Sequence, residues 1–266
     1  MTQKLICDNN FWYRVGEKGI GDVMHELRDC DLYITNLSLV ELISSANLTS
    51  NFDIVKNAFN AISKYCKIIL SQNDAQQLLI IQQIDYVDNI AEVQKKNINR
   101  LINSFLNAES IKDLDFDYNH MIESRKKETK DWAVTANEMV LNLRKLKINL
   151  EDLRNNSKEI LLHHVNRYIE RNNIKIESKV FDFSQFELFI ECFSLFIQDV
   201  ISKHDKRIKE NDYVDFMNLL YCIGDFKYLT LEKEKGNRIA KMINSTSIGQ
   251  NYKLHNEDSI KRILNI

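Results

Sequence analysis

Lys4-Leu5-Ile6-Cys7-Asp8 is a short apolar run that ends in an acid. It reads as a buried strand whose C-terminal end presents Asp8. Phe11-Trp12-Tyr13 follows, then a glycine-bearing stretch (Gly16, Gly19, Gly21) that turns into a helix predicted through Arg28. Asp31-Leu32-Tyr33-Ile34-Thr35 reads as a second strand. Ser38, with Glu41 three residues on, has the spacing of a capping box opening the next helix. Ile54, Val55, Ala58, Phe59, Ile62 and Tyr65 recur at helical spacing, and Cys66-Lys67-Ile68-Ile69-Leu70 reads as a third strand. Ser71 or Asn73 starts another helix, predicted through about Ile90. Strands alternating with helices predict an α/β unit with a parallel sheet.

From about residue 91 to 204 the pattern is helical. Strand signals shrink to Ile174-Lys175-Ile176 and Val180-Phe181. Apolar residues recur at three and four: Val134, Met139, Leu141 and Leu146, then Leu153, Ile160, Leu161, Val165 and Ile169. Phe186, Phe189, Ile190, Phe193, Phe196 and Ile197 form an aromatic stripe. All of these read as contacts between helices. Arg125-Lys126-Lys127-Glu128 reads as a solvated helix face. The α/β pattern returns near 211, with a helix over 211–221 that opens on acids and ends before Gly224. Phe226-Lys227-Tyr228-Leu229-Thr230 is a strand, a helix covers 233–243, and 246–266 is a polar tail.

Composition narrows the function classes. Of 266 residues, 44% are hydrophobic and 28% charged, which excludes a disordered chain. The absence of proline and the presence of only 6 glycines argue against proline-rich linkers and turn-dense all-β folds. No apolar run approaches the roughly 18 residues of a membrane helix. The opening apolar stretch is too short for a signal peptide, so the expected compartment is the cytoplasm, with no membrane partner. Cys7, Cys30, Cys66, Cys192 and Cys222 are scattered and odd in number; they read as small buried hydrophobes. A net charge of −2 excludes a wholesale polyanion binder and leaves a local basic groove open. Adjacent His163 and His164 diverge on a helix, and no zincin, nucleophile-elbow, P-loop or Arg-x-x-x-x-His motif is present.

The acids carry the remaining signal. Asp8 ends the first strand, Glu41 sits in the first turns after the second, Asp212 or Asp215 opens the late helix, and Glu232 follows the last strand. In a parallel sheet, strand C-termini and the helix starts after them share one edge, so acids distant in sequence converge there. Carboxylates gathered in one cleft repel unless protons or cations neutralise them. Hard oxygen donors suit Mg²⁺ or Mn²⁺, which assist displacement at a phosphodiester. The ordinary readings are a capping-box role for Glu41 and helix N-terminal charge placement for Asp212 and Asp215. Asp8 is the hardest to explain that way, because an acid ending a buried strand needs a partner.

This layout resembles the PIN-domain family of metal-dependent ribonucleases. The residues that carry the likeness are Ile6-Cys7-Asp8-Asn9-Asn10, Thr35-Asn36-Leu37-Ser38-Leu39-Val40-Glu41, Asn211-Asp212-Tyr213-Val214-Asp215 and Leu229-Thr230-Leu231-Glu232. The resemblance implies a discontinuous PIN-like α/β domain over 1–90 and 205–245, with a parallel sheet flanked by helices. A long all-helical insertion would cover 91–204 and a C-terminal tail 246–266. It implies Asp8, Glu41 and Asp215 as metal ligands, Asp212 as a further acid, and Glu232, where the family more often has Asp, as a further metal ligand acting directly or through water. Asn10 and Thr230 would orient the acids. The implied activity is endoribonuclease cleavage with Mg²⁺ or Mn²⁺, as a toxin or antiphage effector. RNA is the implied substrate, and the insertion is free to hold an antitoxin, an effector-complex partner or a second copy in a homo-oligomer. Lys126, Lys127, Arg144, Lys145 and Arg167 are the candidate RNA contacts. The rival readings are a catalytically inactive or purely helical interaction module, and a structure-specific DNA nuclease.

Overall fold

Along β1 (Gln3–Cys7) side chains alternate between two buried faces: Leu5 and Cys7 enter one apolar cluster and Ile6 the other. β2 (Cys30–Thr35) divides in the same way, with Leu32 and Ile34 on one side and Tyr33 on the other. β4 (Phe226–Leu229) repeats it with Leu229 and Tyr228. A sheet buried on both faces needs strands that are apolar almost throughout, as these short runs are. The structure is a computed structural model that describes residues 3–18, 27, 29–70, 89–171, 173, 181–230 and 238–249.

With β3 (Cys66–Leu70), the strands form a four-stranded, all-parallel sheet of order β3-β2-β1-β4. Under one face lie α1 (Asn9–Lys18), α2 (Asn36–Ser44), α3 (Ala46–Ser50), α4 (Phe52–Tyr65) and α5 (Asn89–Asn107). Against the other lie α6 (Tyr118–Leu143), α7 (Leu150–Arg171), α8 (Glu187–Ser202), α9 (Asp212–Asn218) and α10 (Arg238–Ser245). The chain builds outward from β1 to β3, then returns to place β4 on the far side of β1. The strand order therefore reverses between β1 and β4, and in open parallel sheets ligands bind outside the strand C-termini at such a point. The described part of 91–204 contains helices and no strand.

Several local expectations are corrected. α1 begins directly after Asp8 and contains both Phe11-Trp12-Tyr13 and Gly16, with Phe11, Trp12 and Val15 as its fully buried face. Gly16 lies inside α1, where a Cβ would come within 2.6 Å of the Asn57 backbone, so glycine is what lets α1 and α4 approach. Thr35, not Ser38, caps α2. Its extended backbone at the end of β2 puts its hydroxyl 3.1 Å from the Ser38 N–H, which leaves Ser38 as the third helical residue. The late helix ends at Asn218 and tightens into a 3₁₀ turn over Leu219–Tyr221, and Gly224 takes a φ of 60°.

α6 departs furthest from its periodic reading. It buries Arg125, Thr129, Ala133, Ala136 and Val140, while Val134 and Leu141 on it, and Leu146 just beyond it, are exposed. The small residues set the inward face because they let neighbouring helices approach closely. Arg125 is no solvated residue either: its guanidinium lies 5.0 Å from the Tyr213 ring centroid and pairs with Glu128 at 2.9 Å. Lys126 and Lys127 are exposed. All five cysteines are free thiols; Cys7, Cys192 and Cys222 are buried, and burial pushes their thiols up. The helix predicted after Ser71, the strand Ile174-Lys175-Ile176, the run to Arg28 and residues 250–266 lie outside the described residues.

Candidate functional site

Asp8 follows β1 directly, and its N–H donates to the Leu229 carbonyl at 3.0 Å, which carries the β1–β4 ladder one residue further. Its side chain is buried and held from two directions. Oδ1 accepts the Phe11 N–H at 2.9 Å, and Oδ2 accepts the Thr230 hydroxyl. The first bond satisfies an N–H in the opening turn of α1, so Asp8 also caps that helix. The second bond comes from the residue after β4. The carboxylate is thus fixed at the switch between the two strands.

Glu41 lies on α2, and its Oε2 accepts from the Asn9 amide at 2.6 Å. Asp215 lies in the first turn of α9. A buried polar network joins these helices. The Thr35 hydroxyl donates to Asn218 Oδ1 at 2.6 Å, and Asn218 Nδ2 donates to Ser38 Oγ at 3.2 Å. Thr35 caps the helix that carries Glu41, and Asn218 sits three residues after Asp215. The network therefore sets the distance between those two carboxylates.

Asp8, Glu41 and Asp215 line one cavity of about 190 Å³, together with Asn9, Asn10, Asn218 and Tyr228. Tyr13, Ser45, Asn47 and Asn211 complete it. Burial, then the negative charges of Asp8 and Asp215 and, more weakly, Glu41, push the Tyr228 hydroxyl well above the ordinary tyrosine range. Tyr228 is a neutral phenol within the field of all three acids. Tyr13 is raised too, first by burial; bonds from Ser45 and Asn47 oppose this and Glu41 adds to it.

Asp212 does not line this cavity. It is buried, and its Oδ2 accepts the Lys209 N–H at 2.7 Å. Glu232 lies outside the described residues. Thr230 reaches the site through Asp8, and Asn10 lines it directly. Lys126, Lys127, Lys145 and Arg167 are exposed and line no part of it. Arg144 binds protein: its guanidinium donates to the carbonyls of Val200, Lys203 and Lys206 at 2.7, 3.0 and 3.2 Å, a cation at the C-terminal end of α8. Sequence reasoning did not single out Asn9, Thr35, Asn218 or Tyr228 as site residues. Asn9 and Thr35 stand within the segments that carry the likeness, and Asn218 left a trace as a polar residue one turn after Asp215 in an otherwise apolar stretch.

The donor set consists of hard oxygen atoms from three carboxylates and several amides, which matches Mg²⁺ or Mn²⁺. Asn9 adds a buried Oδ1 with no hydrogen-bond partner among the described residues, an acceptor that a cation would satisfy. Among the described residues no group of three His, Cys, Asp or Glu side chains stands in metal-holding geometry. The residues therefore fit a divalent ion by donor chemistry and not as a ready-made coordination shell. Comparison with protein-family models, with curated proteins and with solved structures gives no match to this chain.

Proposed function

We propose that the chain is a metal-dependent endoribonuclease of PIN-like architecture, in which 91–204 is a helical insertion and the acid cavity holds Mg²⁺ or Mn²⁺. The observation that carries this reading is the convergence of Asp8, Glu41 and Asp215 on one small cavity outside the C-termini of β1 and β4. A divalent ion bound there would polarise a phosphodiester and make water a stronger acid. The chain's own contribution is placement. Phe11 and Thr230 hold Asp8, Asn9 holds Glu41, and the Thr35–Asn218–Ser38 network holds the helices of Glu41 and Asp215 together. Tyr228, kept neutral, offers a hydroxyl donor to an anionic substrate oxygen.

Purified protein with labelled total RNA and Mg²⁺ or Mn²⁺ tests this. Cleavage is expected, and it is lost with EDTA and with Asp215→Asn or Glu41→Gln. No cleavage with either ion would overturn the proposal. Ion binding has its own readout: at an ion concentration of about 100 Kd the folded state gains about 2.7 kcal/mol, visible as a higher Tm that Asp215→Asn abolishes. A second reading has one observation in its favour. Asp8 already serves as the cap of α1, so the same fold could keep that acid without chemistry, as an interaction module. That reading predicts no Tm response to either ion.

A further inference from the structure

Tyr13 on α1, Ser45 between α2 and α3, and Asn47 on α3 line the acid cavity with uncharged side chains. They form a hydrogen-bonded chain whose direction the backbone fixes. Ser45 Oγ donates its one proton to the Leu42 carbonyl at 3.0 Å. Ser45 therefore accepts in its 3.1 Å bond with the Tyr13 hydroxyl, and Tyr13 is the donor. With its proton committed, the Tyr13 oxygen can only accept from the Asn47 amide beside it. Asn47 thus turns its Nδ2 to Tyr13, and its Oδ1 is left as an acceptor on the cavity wall. Asn47 is half-buried, and among the described residues its side chain makes no other hydrogen bond. Glu41 lies within electrostatic reach of the same tyrosine hydroxyl, so this acceptor stands beside the carboxylates.

We infer that the Asn47 acceptor, oriented by Tyr13 and Ser45, reads a ribose 2′-hydroxyl and so makes the cavity select RNA over DNA, an assignment that rests on the nuclease reading above. The 2′-hydroxyl stands on the carbon next to the one that bears the 3′-phosphate. A group that reads it must share a cavity with whatever holds the phosphodiester, and Asn47 shares this one with Asp8, Glu41 and Asp215. An acceptor calls for a hydroxyl proton, which a 2′-deoxy sugar lacks. A base would instead need an open ring on which to stack. The two rings among the described lining residues are Tyr228, 5% exposed, and Tyr13, tethered at its hydroxyl. Amides and a hydroxyl make up the rest of the uncharged lining, which suits a sugar.

The test is a cycle of substrates against variants. The bond cut in a fluorescein-labelled single-stranded RNA is mapped with the wild-type protein and Mg²⁺ or Mn²⁺. A second strand of the same sequence then carries one 2′-deoxynucleotide on the 5′ side of that bond. The wild type cuts the all-ribose strand with a kcat/KM about fivefold higher, the effect of one hydrogen bond between neutral groups. A 2′-fluoro nucleotide at the same place, which keeps the ribose pucker but cannot donate, behaves as the deoxy one does. In Asn47→Ala the ratio between the ribose and deoxy strands falls to near one. Tyr13→Phe keeps the ring and removes the hydroxyl that orients Asn47; it lowers the ratio too, and it decides the matter if Asn47→Ala does not fold by circular dichroism. A merely structural role would slow both strands alike and leave the ratio standing. A ratio near one in the wild type, or one unchanged by the folded variants, would overturn the assignment while the cleavage itself upholds the nuclease reading. No cleavage of the all-ribose strand with either ion would overturn the nuclease reading and the assignment with it.

Discussion

Asn218→Ala is the sharpest probe of how the site is held. The amide accepts from Thr35 at 2.6 Å and donates to Ser38 at 3.2 Å, and all three side chains are buried. Each lost bond costs about 1 kcal/mol net. The truncation also orphans buried hydroxyls, but only in part: Thr35 Oγ1 still lies 3.2 Å from Ser38 Oγ, so the two can satisfy each other once. One unsatisfied group remains, worth about 1 kcal/mol, which brings the total to about 3 kcal/mol. For a chain of this size that lowers Tm by roughly 9 °C. Urea unfolding with an unchanged m-value is the assay, paired with a double-mutant cycle. Thr35→Val removes the same bond together with the cap of α2, so the double variant is less destabilised than the sum by about 1 kcal/mol. A Tm within about 2 °C of wild type, or strict additivity, would refute the reasoning that this network sets the spacing of α2 and α9.

Thr230→Val keeps the shape and removes the hydroxyl that fixes Asp8; the midpoint of a Mg²⁺ titration of cleavage is expected to rise by about tenfold or more with the fold intact by circular dichroism. Gly16→Ala drives a methyl to within 2.6 Å of the Asn57 carbonyl carbon and 2.8 Å of the Ala58 nitrogen, backbone atoms that cannot step aside, and costs about 1–3 kcal/mol in urea unfolding. Burial, then the nearby His163 and Arg167, hold His164 below its ordinary 6.5, so the unfolded chain binds the proton first and stability falls as pH drops below about 6.5. His164→Gln flattens that limb of the pH–stability curve, and an unchanged limb would show that another group causes it.

The elements that could be read from the chain are those whose signal is local. The strand Cys66-Lys67-Ile68-Ile69-Leu70 and the helix Phe52–Tyr65 stand where the sequence pattern puts them, and the helix buries Val55, Ala58, Phe59 and Ile62 in the cluster on one side of the sheet. α6 could not be read that way. Its apolar residues Val134 and Leu141 outweigh Ala133 and Ala136 on any hydropathy count, yet the alanines are buried because what decides the face is how near another helix can come. The cap of α2 was misread for a related reason. Ser38 and Glu41 have capping-box spacing, but β2 ends at Thr35, whose extended backbone lets its hydroxyl accept the Ser38 N–H and open the helix three residues earlier.

The site shows the same division more sharply. That an acid follows β1 is visible in five residues, and so is an acid in the first turn of α9. What makes them one site is the pairing of β1 with β4, and that pairing is remote: Thr230 bonds Asp8 across 222 residues of chain. Parallel strands leave no hairpin to announce which neighbour each will take, so the order β3-β2-β1-β4 is not written in any one stretch. Once it is set, the rest is forced. A strand on each side of β1 opens a crevice at its C-terminal end, Thr230 and Asp8 become neighbours, and the helix after β2 and the helix before β4 bring Glu41 and Asp215 to the same cavity. Asn218 could be recognised only afterwards, since its partners Thr35 and Ser38 lie 183 and 180 residues away. Asn9, Thr35 and Asn218, which hold Glu41 and the helices of the acids, are therefore residues that sequence reading misses, because their role exists only between elements.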